Sequence, residues 1–211
     1  MGLSTRTVAV VDYGSGNLHS VKHALTTVGA KVEVTNDLAA LERAERIVLP
    51  GVGAFGECMQ KLHASGVVAT LRREVLEKKK PMFGICVGCQ VLATEGEEMG
   101  IHPGLGWIAG RVRRLRSADH GLRVPHIGWN SARIVKDHPI FAGLAADASF
   151  YYVHSYVFEP NDRSCIAAVC DYGEEAVCAI AKDNIFATQF HPEKSADAGL
   201  TLLSNFLDWN P

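Results

Sequence analysis

Hydrophobic positions in the first ninety residues switch repeatedly between two periods. Thr7 to Val11 is a short β-branched run that ends in the polar, glycine-rich stretch Asp12-Tyr13-Gly14-Ser15-Gly16-Asn17. Leu18, Val21, Leu25 and Val28 then recur at helical spacing,. Lys31 to Val34 and Arg46 to Leu49 read as the next strands, the second ending at Pro50-Gly51-Val52-Gly53. Helical stretches follow near Glu57–His63 and Val67–Lys79. Pro81 to Ile85 reads as a buried strand, and Val87 to Thr94 as a helix. This alternation predicts a parallel sheet with helices on both faces. Ligands bind such sheets at the carboxyl ends of the strands. The loops Asp12–Asn17 and Pro50–Gly56 and the turn at Cys86 all leave strands at that end.

After Gly100 short strand-like runs dominate: Trp107–Leu115, Phe150–Phe158, Ile166–Val169, Ala176–Ala181 and Ile185–Phe190. They read as antiparallel additions to the sheet. Asp197 to Trp209 closes the chain as an amphipathic helix with Leu200, Leu203 and Phe206 on one face. No repeat, low-complexity segment or linker interrupts residues 1–211. The expectation is one α/β domain: an open mixed sheet with a parallel core, helices on both faces and added antiparallel strands.

Composition narrows the function classes. Apolar residues make up 47% and charged residues 21%, the balance of a soluble globular protein,. A formal net charge of -2 gives no basic surplus for nucleic acid,. The run Arg111–Arg116 alternates charged with apolar positions and reads as a strand with one solvated face. No apolar stretch approaches the roughly 20 residues that span a bilayer, and the segment Met1–Arg6 lacks a signal-peptide core. A cytoplasmic location is expected. The 6 cysteines then read as free thiols in a reducing compartment,. His126, His138 and His154 are scattered and no zinc spacing occurs, so neither a metal nor another cofactor is expected.

The strongest chemical signal is Gly84-Ile85-Cys86-Val87-Gly88, lying between a buried strand and a helix. This is the sulfur form of a nucleophile elbow. A sharp strand-to-helix turn strains Cys86 and requires small neighbours. It also sets the thiol at a helix N-terminus, where the dipole favours thiolate. The Val87 N–H then points into the same space and can serve as an oxyanion donor. Cys86 with Cys89 also forms Cys-x-x-Cys, and spacing alone leaves a redox pair open. A second signal, which a dithiol enzyme would not need, is Phe190-His191-Pro192-Glu193-Lys194-Ser195. Pro192 biases His191 towards extended geometry, where positions i and i+2 share a side. Glu193 is therefore expected to reach the imidazole and complete a Cys-His-Glu triad. The glycines of Pro50–Gly56 suit an oxyanion loop beside Cys86. The loop lacks the Lys-Ser/Thr ending of a P-loop.

With these elements in place, the chain resembles the class I (triad-type) glutamine amidotransferases. Within them it is similar to the glutaminase subunits of imidazole glycerol phosphate synthases, which serve histidine biosynthesis. The features that select this branch are Asp12–Leu18, Pro50–Phe55, Pro125-His126-Ile127-Gly128-Trp129-Asn130 and Val153-His154-Ser155-Tyr156, and the likeness covers nearly the whole chain. It implies that Cys86 attacks the side-chain amide of glutamine, that His191 is the acid/base and that Glu193 orients it. It also implies oxyanion stabilisation by the amides of Val87 and of the Gly51-Val52 peptide, which has to flip first. Gly53, Gln90, Ser155 and Tyr156 fall where the family holds glutamine. Asn17, Trp129, Tyr151 and Lys194 fall at its interface with a (β/α)8-barrel cyclase subunit, which receives the ammonia. No barrel sequence lies in the chain, which implies a separate-subunit form. One departure is Cys89, where the family has a bulkier residue such as Met. It leaves a Cys86–Cys89 disulfide open.

Overall fold

The structure, a computed structural model, describes residues 5–211; Met1–Ser4, part of the stretch read above for targeting signals, lie outside the described residues. In chain order the elements are β1 (Thr7–Val11), α1 (Leu18–Thr27), β2 (Lys31–Thr35), α2 (Leu38–Arg43), β3 (Arg46–Gly51), α3 (Phe55–Ala64), α4 (Val68–Arg72), β4 (Met82–Cys86) and α5 (Val87–Gln90). They continue as β5 (Glu95–Gly96), β6 (His102–Pro103), β7 (Gly110–Arg114), β8 (His126–Ser131), β9 (Arg133–Ile134), β10 (Ser149–His154), β11 (Tyr156–Pro160), β12 (Ile166–Asp171), β13 (Glu175–Lys182), β14 (Ile185–Thr188) and α6 (Ala196–Asp208).

The main sheet has the order β2-β1-β3-β4-β14-β13-β12-β9. Every residue of β3 and β4 is buried, as a central strand covered on both faces requires,. Arg46 is a charged residue inside that run. Its guanidinium donates to the carbonyls of Leu207 and Trp209, which ties the end of α6 to the sheet. The chain leaves β1 for β2 on one side and then crosses to β3 and β4 on the other. Right-handed crossovers therefore put α1 on one face and α2–α4 on the other, and α6 packs beside α1. The strand order reverses beside β1 and β3, at whose carboxyl ends a crevice opens.

The second half departs from the sequence expectation in particular ways. β14 lies parallel to β4 and belongs to the core; it enters through a hairpin with β13, which makes β13 and β12 the antiparallel additions. The Phe150–Phe158 run is two strands broken at Ser155. β10 pairs with β8, and β11 joins a separate sheet of order β11-β7-β5-β6. α5 stops at Gln90 instead of reaching Thr94. The carbonyls of Val91, Leu92 and Ala93 accept from the amides of Leu105, Ile108 and Gly106, so the returning chain satisfies what a helix would have used,. The short α2 was not expected; Asp37 caps it by accepting from the Ala40 N–H,. On α6 the buried face runs through Leu202, Leu203, Phe206 and Leu207, with Leu200 only partly covered. A single contiguous apolar core joins the sheet and its helices.

Candidate active site

β4 ends directly in the elbow. Cys86 has φ +56° and ψ −113°, a conformation that L-residues rarely adopt,. Two glycines make this turn possible. A Cβ on Gly88 would stand 1.8 Å from the Leu49 carbonyl oxygen, and one on Gly84 would stand 2.9 Å from the Gly88 oxygen. α5 can therefore press against β3 only because residue 88 has no side chain. Val87 opens α5, so its N–H has no partner within the helix,.

His191 reaches the same place from the end of β14. Its N–H donates to the Tyr151 carbonyl at 2.9 Å. The Ser195 hydroxyl donates to the His191 carbonyl at 2.6 Å and accepts from the Tyr151 N–H at 3.0 Å. Pro192–Lys194 form a 3-10 turn with His191 at its N-cap. Glu193 thus meets the ring by curling back, not through the extended i, i+2 geometry expected from sequence. Its Oε1 lies 2.8 Å from Nδ1, and both side chains are buried. The carboxylate fixes Nδ1 as the protonated nitrogen and leaves Nε2 for the Cys86 side. Burial works against charge on the ring, but the Cys86 sulfur and the Glu193 carboxylate outweigh it and hold His191 up at about 10,.

Cys86, Val87 and His191 open onto a cavity of about 440 Å³ walled by Val52–Ala54, Gln90, Glu98 and His154–Tyr156. A cysteine at a strained turn, an imidazole held by a carboxylate, and a small chamber of mixed polar and apolar lining are parts that acyl transfer can use,.

The family model "Glutamine amidotransferase class-I" matches residues 9–209. The chain belongs to the class I glutamine amidotransferases. Its relatives include the "Imidazole glycerol phosphate synthase subunit HisH" of Zymomonas mobilis, 49% identical over 99% of this chain and 98% of that protein. The protein of the same name from Acinetobacter baylyi is 49% identical over 96% of this chain and 98% of its own. Among solved structures, PurLQS from Thermotoga maritima superimposes with a TM-score of 0.76 at 18% identity, covering 97% of this chain and 98% of that one. Another, a glutamine amidotransferase, gives 0.68 at 23% identity over 92% and 94%. At these identities the likeness concerns the fold.

In this amidotransferase the expected glutamine contacts Gly53, Gln90, Ser155 and Tyr156 all line the cavity. Glu98 also lines it, and sequence reasoning passed over it. It sits in a glycine-flanked polar stretch, Glu95–Gly100, with nothing local to mark it. Its Oε2 accepts from the Phe55 N–H at 2.8 Å, which pins the carboxylate at the start of α3. The Gly51-Val52 peptide behaves differently. Gly51 pairs with Cys86 across the β3–β4 ladder. The Val52 N–H, however, donates to Ser15 Oγ at 3.3 Å, and the Val52 carbonyl accepts from Ser15 Oγ at 2.6 Å and from Cys58 Sγ at 3.2 Å. That amide is engaged by the β1–α1 loop.

Three of the expected interface residues meet on one surface. Trp129 and Tyr151 face each other across the β8–β10 ladder with ring centroids 6.1 Å apart, and Lys194 Nζ stands 5.8 Å above the Tyr151 ring. Exposed Ile127 and Val153 pair beside them. Asn17 is the N-cap of α1, on the loop leaving β1, and α1 packs against the turn that carries Lys194. Cys86 and Cys89 are both free, and burial pushes the Cys89 thiol well above its ordinary range. Among the described residues no His/Cys/Asp/Glu group is placed to hold a metal, and no helix is long and apolar enough to cross a membrane.

Proposed function

We propose that this amidotransferase is the glutaminase subunit of an imidazole glycerol phosphate synthase, working in the cytoplasm on the histidine pathway. The observation that carries the chemistry is the strained Cys86 beside the buried His191–Glu193 pair. The names of relatives 49% identical over nearly the whole chain support the pathway.

Cys86 Sγ attacks the side-chain carbonyl carbon of glutamine. The Val87 N–H receives the developing oxyanion, joined by the Val52 N–H once that peptide turns away from Ser15. His191, charged at neutral pH, gives its proton to the departing nitrogen, and ammonia leaves a thioester on Cys86. Neutral His191 then takes a proton from water, which attacks the thioester and releases glutamate. Glu193 keeps Nδ1 protonated throughout. Glu98 is the carboxylate in the cavity wall and suits the substrate's α-ammonium group, while Gly53, Gln90, Ser155 and Tyr156 hold the remainder. The ammonia passes to a (β/α)8-barrel cyclase docked on Trp129, Tyr151, Lys194 and Asn17. That partner makes imidazole glycerol phosphate and aminoimidazole carboxamide ribonucleotide.

The test is ammonia release from glutamine with and without the barrel subunit loaded with its nucleotide ligand. The expected result is weak activity alone, strong activity in the complex, and none for Cys86→Ala, which still binds the partner. Wild-type release rates from the alanine variant would sink the assignment of the nucleophile. Stimulation by a different synthase in place of the cyclase would sink the pathway.

A further inference from the structure

The mechanism above leaves one buried polar side chain at the nucleophile unused. Gln189 Nε2 lies 3.7 Å from Cys86 Sγ, within range for a hydrogen bond to sulfur. The side chain is 1% exposed, so its amide has no access to water. Burying an amide is costly unless its hydrogen bonds are met. Gln189 meets them with Cys86 on one side and Gln90 on the other.

The orientation of both amides follows from one backbone group. The Tyr156 carbonyl can only accept, and it takes a hydrogen bond from Gln90 Nε2 at 3.1 Å. The same nitrogen donates its second hydrogen to Gln189 Oε1 at 2.9 Å. Gln189 must then present its NH2 group to the sulfur; the opposite flip would set two NH2 groups against each other. The backbone holds the residue as firmly. The Gln189 N–H donates to the Cys178 carbonyl at 2.9 Å. Phe190 stacks on Phe150 with centroids 4.0 Å apart. Positions 189 and 191 thus flank an anchored ring, with Gln189 Nε2 at the Cys86 sulfur and His191 lining the same cavity as Cys86.

We propose that Gln189 is a further catalytic residue: its Nε2–H donates to the Cys86 thiolate and stabilises the charged sulfur before attack. Gln189 is then the neutral donor on the thiolate, in the same site as the charged ring of His191. The amide cannot transfer its proton, so it keeps the sulfur charged and aimed without quenching it. Gln90 serves twice, as a wall of the cavity and as the group that fixes the donor's orientation. This inference rests on the assignment of Cys86 as nucleophile, but not on glutamine as substrate.

The experiment is alkylation of Cys86 in the intact, partner-free chain by iodoacetamide, followed by peptide mass spectrometry from pH 6 to pH 10. The reagent reads the thiolate directly. Gln189→Met keeps the volume and loses the donor. It is expected to react roughly tenfold more slowly than wild type at pH 7, the worth of one hydrogen bond to a charged group, and at the same rate at pH 10. Gln189→Glu replaces the donor by a carboxylate and is expected to be slower still at pH 7. Gln90→Met leaves Gln189 in place but unanchored and should fall between. Equal rates for wild type and Gln189→Met at pH 7 would overturn the proposal. Slowing by the same factor at pH 7 and pH 10 would also overturn it, because that is what a purely space-filling role predicts. If Gln189→Met unfolds, the contrast of Gln189→Glu and Gln90→Met with wild type decides alone. No glutamine is present, so a failed glutaminase assay and a failed alkylation contrast remain separate results.

Discussion

Gly88→Ala is the most direct challenge to the elbow, because the structure states what the added methyl would meet. Its Cβ would lie 1.8 Å from the Leu49 carbonyl oxygen and 2.8 Å from the carbonyl carbon. Unstrained contact needs roughly 3.5 Å, so α5 and β3 must part by roughly 1.5 Å. Leu49 cannot yield, since β3 is fully buried and paired on both sides, with Leu49 opposite Gly84. α5 must move instead, and with it the Val87 amide and Cys86. A displacement of about 1 Å at reacting groups costs roughly 100-fold in rate. Overpacking of this kind costs about 1–3 kcal/mol, which lowers Tm by roughly 2–10 °C in a chain of this size. Gly84→Ala is the internal control. Its Cβ would meet the Gly88 backbone oxygen at 2.9 Å and the Ala187 Cβ at 3.1 Å, a clash about 1 Å less severe, so the loss should be smaller than at residue 88,. Ammonia release in the complex and calorimetric Tm measure both variants. If Gly88→Ala stays within threefold of wild type, or loses no more than Gly84→Ala, the argument from backbone contact is wrong.

Three further outcomes are expected. Glu193→Gln removes one of the two groups that hold His191 at about 10 against the effect of burial; the alkaline limb of the pH–rate profile should move down, with a rate loss of roughly 100-fold, and an unmoved limb would mean that Glu193 does not act on the ring. Burial holds His154 down at about 4, a hydrogen bond to the Tyr156 carbonyl only partly opposing it. The unfolded chain therefore takes up that proton first. The resulting stability is complete above about pH 6.5 and is lost as pH falls towards 4, by about 3 kcal/mol. Urea denaturation of His154→Asn should show a flatter slope over that window, and an unchanged slope would refute it. Ser15→Ala removes the hydroxyl that grips both ends of the Val52 peptide group's neighbourhood; partner-independent ammonia release should rise several-fold, more when combined with Cys58→Ala, and an unchanged basal rate would show that Ser15 is not the restraint.

The parallel core was legible because its central strands β3 and β4 are short, buried and bounded by glycine or proline, and α1 and α3 carry a helical apolar period. The elbow was legible for a related reason. No side chain fits at 88 and one at 84 would press on the Gly88 backbone, so the pattern around Cys86 is a record of collisions avoided. The second half was harder. β14 and β13 look alike in sequence, and which lies parallel to β4 depends on a hairpin and a neighbour distant in the chain. Phe150–Phe158 reads as one strand because alternation continues through Ser155, while the two halves turn to different sheets. Glu193 was found for an imperfect reason: proximity to His191 was right, but a 3-10 turn supplies it. Glu98 and Gln189 escaped notice because their significance lies in what they face. A glutamate in a polar loop and a glutamine after a strand carry no local pattern until Phe55 and Cys86 are placed beside them.

The site is built unevenly, and the unevenness bears on control. The sulfur side has the strained turn, the charged His191 with its buried carboxylate and the Gln189 amide, while His191 Nε2 itself has no hydrogen-bond partner among the described residues. On the carbonyl side the Val52 N–H is spent on Ser15. An attacking group without its oxyanion donors accelerates little, since one missing donor costs roughly 100- to 1,000-fold. A poised thiolate can therefore coexist with low turnover. The loop that holds Val52 also carries Asn17 at its far end, where α1 begins. A partner that grips Asn17 would act on the segment from Ser15 to Asn17, and through the Ser15 hydroxyl on the Val52 peptide. Partner control of this kind needs no movement of the triad, because the restrained element is the donor that the substrate's carbonyl oxygen requires.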